Sequence, residues 1–193
     1  MPESTAAPRP YHAFWGEMAP CDHIVQIYED DDGLIDALEG FVGGALEGSE
    51  AAIVIATPQH RQALDRRLQA RGLDLDAARG ADRYIALDAD ETLQRFMRNH
   101  WPDDERFEAV VLELLQRAGR GGRRVRAFGE MVALLWAKGY HGATVRLEHL
   151  WAQVCRRRGL ALFCSYPRAG FTTRDSVVSI NQICAAHSRL FPG

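Results

Sequence analysis

The chain has 193 residues, of which 47% are hydrophobic, 25% charged and 9% aromatic, and its formal net charge is −3 at pH 7. This composition is that of an ordinary globular protein and excludes disordered, fibrous and disulfide-rich chains. The slightly negative charge disfavours direct binding to nucleic acid, because proteins that bind DNA usually concentrate positive charge.

The length indicates one domain, which we place at residues 21–193 behind an N-terminal extension at residues 1–20. We expect Phe14 and Trp15 to dock this extension onto the domain. The chain shows neither the pattern of a signal peptide nor an apolar run near the roughly 20 residues that cross a bilayer. Four cysteines without regular spacing favour a reducing compartment. We therefore expect a cytoplasmic protein with no membrane contact.

Short apolar runs rich in Val, Ile, Leu and Tyr predict the strands. They lie at residues 23–28, 51–57, 83–87, 124–128 and 160–166. The second and last runs are almost continuously apolar, which is typical of strands that are buried on both faces.

Helical spacing of apolar residues fills the intervals between these strands. The spacing over residues 34–42 predicts a helix that Gly48 ends. Thr57 and Pro58 predict the start of the next helix, and Asp88 resembles the first residue of a capping box. Similar spacing predicts further helices over residues 107–115, 147–155 and 177–187.

Strands that alternate with helices indicate right-handed crossovers and a sheet covered on both faces. The predicted fold class is therefore α/β, with a mostly parallel sheet of about five to six strands and helices on both faces.

The motifs of common enzyme classes are missing from the sequence. After the first strand comes an acidic turn, Glu29–Gly33, where a nucleoside triphosphatase would place a glycine-rich loop. The chain also lacks GxGxxG after a strand, GxSxG, CxxC and HExxH. Catalysis is therefore disfavoured, and we expect no cofactor.

Several short segments carry a resemblance to a known family. They are CDHIVQIYED at 21–30, GEM at 129–131 with RLE at 146–148, LFCSYP at 162–167 and ICAAHS at 183–188. In order and spacing they resemble the MEDS family of sensory domains from prokaryotic signalling proteins, over roughly residues 12–190.

The resemblance implies a signalling input domain that senses a small organic ligand such as a hydrocarbon derivative. It also implies a fold similar to RecA-type domains that lack the phosphate-binding loop. Members of the family often carry a kinase, phosphatase or DNA-binding module. Because this sequence shows none, we expect the output to pass through a signalling protein partner or a homodimer.

Ligands of open α/β sheets bind at the carboxyl ends of the strands. There we expect a binding pocket lined by Tyr28, Glu130, Glu148 and Tyr166, with His23 nearby. Tyrosine packs its ring and bonds a polar group with its hydroxyl, which suits such a pocket. In this hypothesis none of the residues is catalytic.

Two alternatives use residues of the same set. If Glu130 and Glu148 are buried together, one pKa rises and the pair can act as acid and base in an enzyme or bind a metal. The plainer interpretation is a structural salt bridge or a helix-cap contact. In the second alternative the chain is a metal or redox protein built on Cys164, Cys184 and His187. Cys184 and His187 then bind one metal from one face of the last helix, and Cys164 or His23 completes the set. Cysteine and histidine on an apolar stripe are more often plain core residues.

Two arginine clusters, at residues 117–126 and 156–158, offer a nucleic-acid or phosphate site as an alternative. We interpret them as a solvated loop and as the C-terminus of a helix, where cations interact favourably with the helix dipole.

Overall fold

The fold is described from a computed structural model, which covers residue 15, residues 18–171 and residues 181–191. One sheet of six parallel strands has the order β3-β2-β6-β7-β1-β8, and a separate hairpin pairs β4 with β5. The strands are β1 (His23–Tyr28), β2 (Ala51–Ala56), β3 (Tyr84–Asp88), β4 (Met97–Arg98), β5 (Trp101–Pro102), β6 (Val125–Gly129), β7 (Ala161–Pro167) and β8 (Arg189–Phe191).

Helices cover both faces of the sheet. They are α1 (Asp31–Glu47), α2 (Pro58–Ala70), α3 (Leu75–Gly80), α4 (Ala89–Phe96), α5 (Asp104–Ala118), α6 (Met131–Ala137) and α7 (His141–Arg158). Single 3-10 turns lie at Arg120–Gly122 and Arg168–Gly170, and residues 181–186 are again helical. We call residues 181–191 the terminal segment. The predicted α/β class, with a parallel sheet covered on both faces, is confirmed.

The sheet separates two apolar cores. Helices α1, α2 and α3 pack on one face, against Ile24, Phe128 and Phe163 of the strands. Helices α4, α5, α6 and α7 pack on the other, where the strands contribute residues such as Val25 and Cys164. Side chains alternate between the faces along each strand, so β2 and β7 are buried almost throughout, as their sequences predict.

Side-chain caps fix the starts of several helices. Asp30 accepts a hydrogen bond from the backbone N–H of Gly33 at the start of α1. Thr57 caps α2 by accepting from the N–H of His60, and Asp88 caps α4. Gly48 ends α1. The helix boundaries that the sequence predicts at Gly48, Thr57 and Asp88 are thus confirmed.

Trp15 docks onto the domain as the sequence predicts. Its ring stacks on Phe191 of β8 with centroids 4.6 Å apart, and it meets Phe41 of α1 edge-on. Phe14, the other residue expected to dock, lies outside the described residues, as does the 177–180 part of the last predicted helix. No described helix combines the length and the apolar composition that a bilayer crossing requires.

Candidate functional site

The five residues predicted to bind a ligand fall into two groups in the structure. His23, Glu148 and Tyr166 meet between the sheet and α7, together with Cys164 and His187, and we call these five residues the core cluster. Tyr28 and Glu130 lie at the carboxyl edge of the sheet with His60 and Asp31, and we call these four residues the edge cluster.

The core cluster collects side chains from four elements. His23 begins β1, while Cys164 and Tyr166 lie in β7 and point to the same face of the sheet. The parallel pairing of β1 with β7 places His23 opposite Leu162, two residues before Cys164. Glu148 comes from the buried side of α7. The terminal segment adds His187.

Hydrogen bonds between His23 and Ser188 hold the terminal segment against β1. The N–H of His23 donates to Ser188 Oγ at 2.9 Å, and the N–H of Ser188 donates to the carbonyl of His23 at 2.7 Å. This exchange brings His187 beside His23, with ring centroids 3.9 Å apart. A segment distant in sequence thereby completes the cluster.

Glu148 is the centre of the core cluster and is fully buried. Its Oε1 accepts a hydrogen bond from the hydroxyl of Tyr166 at 2.5 Å. Its Oε2 lies 3.3 Å from Nε2 of His23 and 3.4 Å from Nε2 of His187. The thiol of Cys164 lies 3.5 Å from Nε2 of His23.

Both histidines use their other ring nitrogen on a backbone carbonyl. Nδ1 of His23 donates to the carbonyl of Ala186 at 3.0 Å, and Nδ1 of His187 donates to that of Ile183 at 2.6 Å. When a ring is neutral, donation through Nδ1 leaves its lone pair on Nε2. Glu148 Oε2 and His187 Nε2 accordingly have no hydrogen-bond partner, although both are buried.

Burial sets the protonation states of the core cluster. It raises the pKa of the Cys164 thiol and of the Tyr166 hydroxyl, and the neighbouring Glu148 carboxylate adds to both shifts. Burial also lowers the pKa of His187, in spite of Glu148. For Glu148 burial favours the neutral acid, but His187, His23 and Tyr166 together hold the pKa of this carboxyl below its usual value.

The edge cluster lies where β1, β2 and β6 end. Glu130 follows β6 directly; its Oε1 accepts from Nδ1 of His60 and its Oε2 from the backbone N–H of Thr57, both at 2.8 Å. Nε2 of His60 lies 3.3 Å from Oδ1 of Asp31 in the first turn of α1. The hydrogen bond to Glu130 raises the pKa of His60, although burial opposes the shift. Burial raises the pKa of Tyr28, and Glu130 and Asp31 raise it further.

Two further polar side chains are buried on the face of the sheet that carries Tyr28. Gln26 of β1 and Ser165 of β7 are direct neighbours across the strands. Alternation along each strand places them on the face that α1 covers, beside Ile24 and Phe163. Gln26 Oε1 and Ser165 Oγ are buried without a hydrogen-bond partner. A buried polar atom without a hydrogen-bond partner lowers the free energy of unfolding, so these two atoms are unfavourable in the core as it stands.

The expected common pocket does not form from all five predicted residues, because Glu148 and Glu130 occupy different clusters. Glu148 contacts His23, His187 and Tyr166, whereas Glu130 contacts His60 and Thr57. Among the described residues the two carboxylates share no partner, so the hypothesis of an acid–base pair loses its geometric basis.

The structure changes the set of candidate metal ligands as well. His23, Glu148, Cys164 and His187 place one ligand atom each within 4.8 Å of the others. Cys184 stands outside this group, and its side chain is exposed. The spacing predicts that Cys184 and His187 lie on one face of a helix. In the structure the helix ends at residue 186, so His187 lies beyond it.

Sequence reasoning missed His60, Gln26 and Ser165. His60 is the third residue of α2, where a polar side chain gives no signal of its own. Gln26 and Ser165 did leave a signal, because each interrupts a strand that is otherwise almost entirely apolar.

The arginines at 117–126 are largely occupied with ion pairs inside the fold. Arg117 and Arg120 bond Asp82, and Arg124 and Arg126 bond Glu50. Arg156, Arg157 and Arg158 are exposed in the last turn of α7, where the sequence places them.

Comparison with known proteins identifies one family. The family model MEDS, described as "MEthanogen/methylotroph, DcmR Sensory domain", matches residues 22–188. The match spans both clusters and residues 181–188 of the terminal segment. No curated protein matches the chain.

Proposed function

Since the chain belongs to the MEDS family of sensory domains, we propose that it binds a small organic ligand at the edge cluster and passes the signal to a partner protein or a second copy. The family assignment supports a sensory role in signalling. The ligand and the relay are inferred from the arrangement of the described residues.

The position of the edge cluster supports a ligand site. Parallel α/β sheets bind their ligands at the carboxyl ends of the strands, beside the point where the strand order reverses. Strand β1 connects through α1 to β2, three places away in the sheet, and Tyr28, Asp31 and Glu130 surround this connection.

The observation that carries the proposal is the pair of unpartnered buried atoms, Gln26 Oε1 and Ser165 Oγ. A hydroxyl and an amide oxygen side by side in an apolar core are costly unless something bonds them. A small ligand that enters between the sheet and the start of α1 would supply those bonds. Tyr28, on the same face, would lie beside it.

The chemistry of the cluster selects the class of ligand. Asp30, Asp31 and Asp32 occupy the start of α1, and Asp30 already satisfies the N–H of Gly33. This negative charge repels phosphates and other anions. We therefore infer a neutral or cationic ligand with a short carbon skeleton, such as an alcohol or an amine.

The terminal segment offers a route for the signal. Strand β8 pairs with β1 and places Phe191 opposite Gln26. β8 is the edge of the sheet, and Leu190 on it is 62% exposed. An edge strand with an exposed apolar side chain can pair with another chain. A ligand that bonds Gln26 would thus act one strand away from a surface suited to a partner or a homodimer.

All cysteines of the chain are free thiols. Free thiols persist in a reducing compartment, which supports the cytoplasm as the place of action.

Thermal unfolding of the full chain in the presence of short-chain alcohols, amines and carboxylates tests the proposal. We expect an alcohol or amine to raise the unfolding midpoint of the wild type and of Glu113→Gln, a control at an exposed carboxylate. Glu130→Gln and Ser165→Ala should abolish this response. An equal rise in Glu130→Gln and Ser165→Ala would contradict the edge cluster as the site.

Ser165→Ala provides a second readout that needs no ligand. The substitution removes an unpartnered buried hydroxyl, so the ligand-free protein should become more stable by about 1 kcal/mol. Denaturation by urea measures this change. A loss of stability would mean that Ser165 serves the fold and not a ligand.

A further inference from the structure

We propose that the core cluster is a transition-metal site in which His23, Glu148, Cys164 and His187 bind one zinc ion. This inference goes beyond the ligand site at the edge cluster. It uses different residues on the opposite face of the sheet, so either proposal can fail without the other.

Three of the six spacings between the ligand atoms fit a tetrahedral ion. Zinc binds nitrogen and oxygen at about 2.0–2.2 Å and sulfur at about 2.3 Å, so tetrahedral ligand atoms lie about 3.3–3.8 Å apart. Nε2 of His23 lies 3.3 Å from Glu148 Oε2 and 3.5 Å from Cys164 Sγ, and Nε2 of His187 lies 3.4 Å from the same oxygen. All four ligand atoms lie within 4.8 Å of one another.

The hydrogen bonds of the cluster leave lone pairs facing one another. The Nδ1 protons of His23 and His187 point to backbone carbonyls, so both Nε2 atoms face Glu148 Oε2 as acceptors. Oε2 and the Nε2 of His187 have no hydrogen-bond partner. Acceptors that converge in a buried space repel one another unless a proton or a metal ion lies between them, and a metal ion can bind all of them at once.

The surroundings orient the ligands in the way that metal sites require. Histidine ligands commonly donate their second ring N–H to a carbonyl or carboxylate, which fixes the tautomer. Tyr166 donates to Glu148 Oε1, which leaves Oε2 for the ion. Each side chain therefore presents one atom to the centre, and four ligands close the site.

The charges balance on metal binding. The two positive charges of Zn²⁺ are cancelled by the Glu148 carboxylate and the Cys164 thiolate. The two imidazoles bind as neutral ligands, so the centre carries no net charge. Cys164 is a buried thiol in the absence of metal, so binding forms the Zn–S bond and releases the thiol proton to solvent. No oxidant or reductant takes part.

The ligand set selects the class of ion. A thiolate together with two imidazoles favours zinc or a similar transition metal, whereas Mg²⁺ and Ca²⁺ prefer oxygen ligands alone. A closed set of four protein ligands is typical of a structural zinc site. Here it would tie the terminal segment, through His187, to β1, β7 and α7.

A cleft lies beside the terminal segment, next to the residue that precedes His187. An open cleft of about 450 Å³ separates α7 from residues 182–186, with Arg146 and His149 on one side and Ala186 on the other. Ala186 carries the carbonyl that accepts from His23 and precedes His187. A small outward shift of the terminal segment would admit an ion.

Titration of the metal-free full chain with Co²⁺, followed by displacement with Zn²⁺, tests the inference. We expect one Co²⁺ per chain, an absorption band from thiolate-to-cobalt charge transfer and the d–d bands of tetrahedral cobalt, and loss of all three on adding one equivalent of Zn²⁺. The absence of cobalt binding, or binding without a thiolate band, would overturn the proposal.

Two cysteine substitutions assign the thiolate. Cys164→Ser should lose the charge-transfer band, whereas Cys184→Ser, at the exposed cysteine three residues before His187, should keep it. Tyr166→Phe should fold and weaken zinc binding about 10–100-fold, because the support of Glu148 is lost. If Cys164→Ser fails to fold, the proposal is still tested by the charge-transfer band of the wild type and of Cys184→Ser and by the zinc affinity of Tyr166→Phe. A thiolate band that depends on Cys184, or zinc affinity unchanged by Tyr166→Phe, would contradict the site.

Discussion

At the scale of single residues, Glu148 depends on its neighbours more than any other side chain of the core cluster. A buried carboxylate is costly unless hydrogen bonds and opposite charges compensate for lost hydration. Tyr166 supplies the one short hydrogen bond to this carboxylate among the described residues. The two histidines face its second oxygen.

Tyr166→Phe should therefore destabilise the chelator-treated protein by about 1.5–3 kcal/mol, because a hydrogen bond to a buried charged group is lost. Urea denaturation measures the change in the free energy of unfolding.

Tyr84→Phe is the matched control. Tyr84 is equally buried and donates to Asp65 at 2.8 Å, but Asp65 also pairs with Arg79 and is partly exposed. This substitution should cost only about 0.5–1.5 kcal/mol. Equal losses in the two variants would mean that Glu148 is better compensated than its contacts indicate.

His60 makes the stability of the edge cluster depend on pH. Its hydrogen bond to Glu130 raises its pKa above the usual 6.5, so the protonated form is favoured in the folded state. Stabilisation from this pair is present in full below the unfolded pKa and disappears as the pH rises through the folded pKa. Glu130→Gln should thus cost more stability at about pH 6 than at about pH 9.

Urea denaturation of both proteins at the two pH values measures this difference, and NMR titration of the His60 ring gives its pKa directly. Glu130→Gln should bring that pKa down towards its usual value. A stability difference that does not change with pH would contradict the His60–Glu130 coupling.

The sequence offers candidate site residues but does not show which of them the fold brings together. His23, Cys164 and His187 are visible as candidate ligands, yet they come from β1, β7 and the terminal segment. Their meeting depends on the register of β1 with β7 and on the bonds between His23 and Ser188. Local spacing in the sequence shows neither this register nor these bonds. For that reason the sequence alone pairs Glu130 with Glu148 and Cys184 with His187.

At the scale of elements, long apolar patterns predict the strands correctly. The short strands β4, β5 and β8 are not predicted. The five predicted strands all form, with boundaries that shift by a residue or less. Strand β8 spans three residues and shows no alternation to detect. The β4–β5 hairpin turns through Asn99 and His100, both with positive φ. Asparagine and histidine adopt this conformation more often than most residues, but the sequence lacks the glycine that usually indicates such a turn.

Packing of α1 against Trp15 depends on the absence of a side chain at Gly40. A Cβ at this position would come within 2.6 Å of the indole ring. Gly40→Ala should displace Trp15 from its stack on Phe191 and destabilise the protein by about 1–3 kcal/mol. Tryptophan fluorescence and urea denaturation follow the two effects.

Gly44, one turn further along α1, is the matched control. A Cβ there would make only an ordinary contact, with Arg126 at 3.6 Å. Gly44→Ala should stabilise the protein by about 0.5–1 kcal/mol, because alanine favours the helix. A gain from Gly40→Ala as well would show that Trp15 adjusts without cost.

At the scale of the whole molecule, the sheet keeps two polar sites apart. The edge cluster opens towards the ends of β1, β2 and β6, and the core cluster is enclosed between the other face and α7. Strand β1 contributes to both, because it carries His23 of the core cluster and, on its other face, Tyr28 of the edge cluster. The terminal segment pairs with this same strand. One strand thus links a proposed ligand site, a proposed metal site and the edge of the sheet.

Because His187 of the terminal segment is a proposed zinc ligand, removal of the metal should loosen this segment. Without zinc, residues 181–191 are held by short backbone pairing and by the Trp15–Phe191 stack. Hydrogen exchange of this segment should therefore become faster in the chelator-treated protein, while β2 and β6 at the centre of the sheet stay protected. Unchanged exchange in residues 181–191 would show that no metal holds the segment.

The native mass of the full chain, after incubation with zinc and the panel of alcohols and amines, tests the two-site account most directly. The account predicts one zinc per chain that Cys164→Ser loses, and a bound organic molecule that Glu130→Gln loses and Cys164→Ser retains. A bare chain under every condition, or the loss of both masses in a single folded variant, would contradict it.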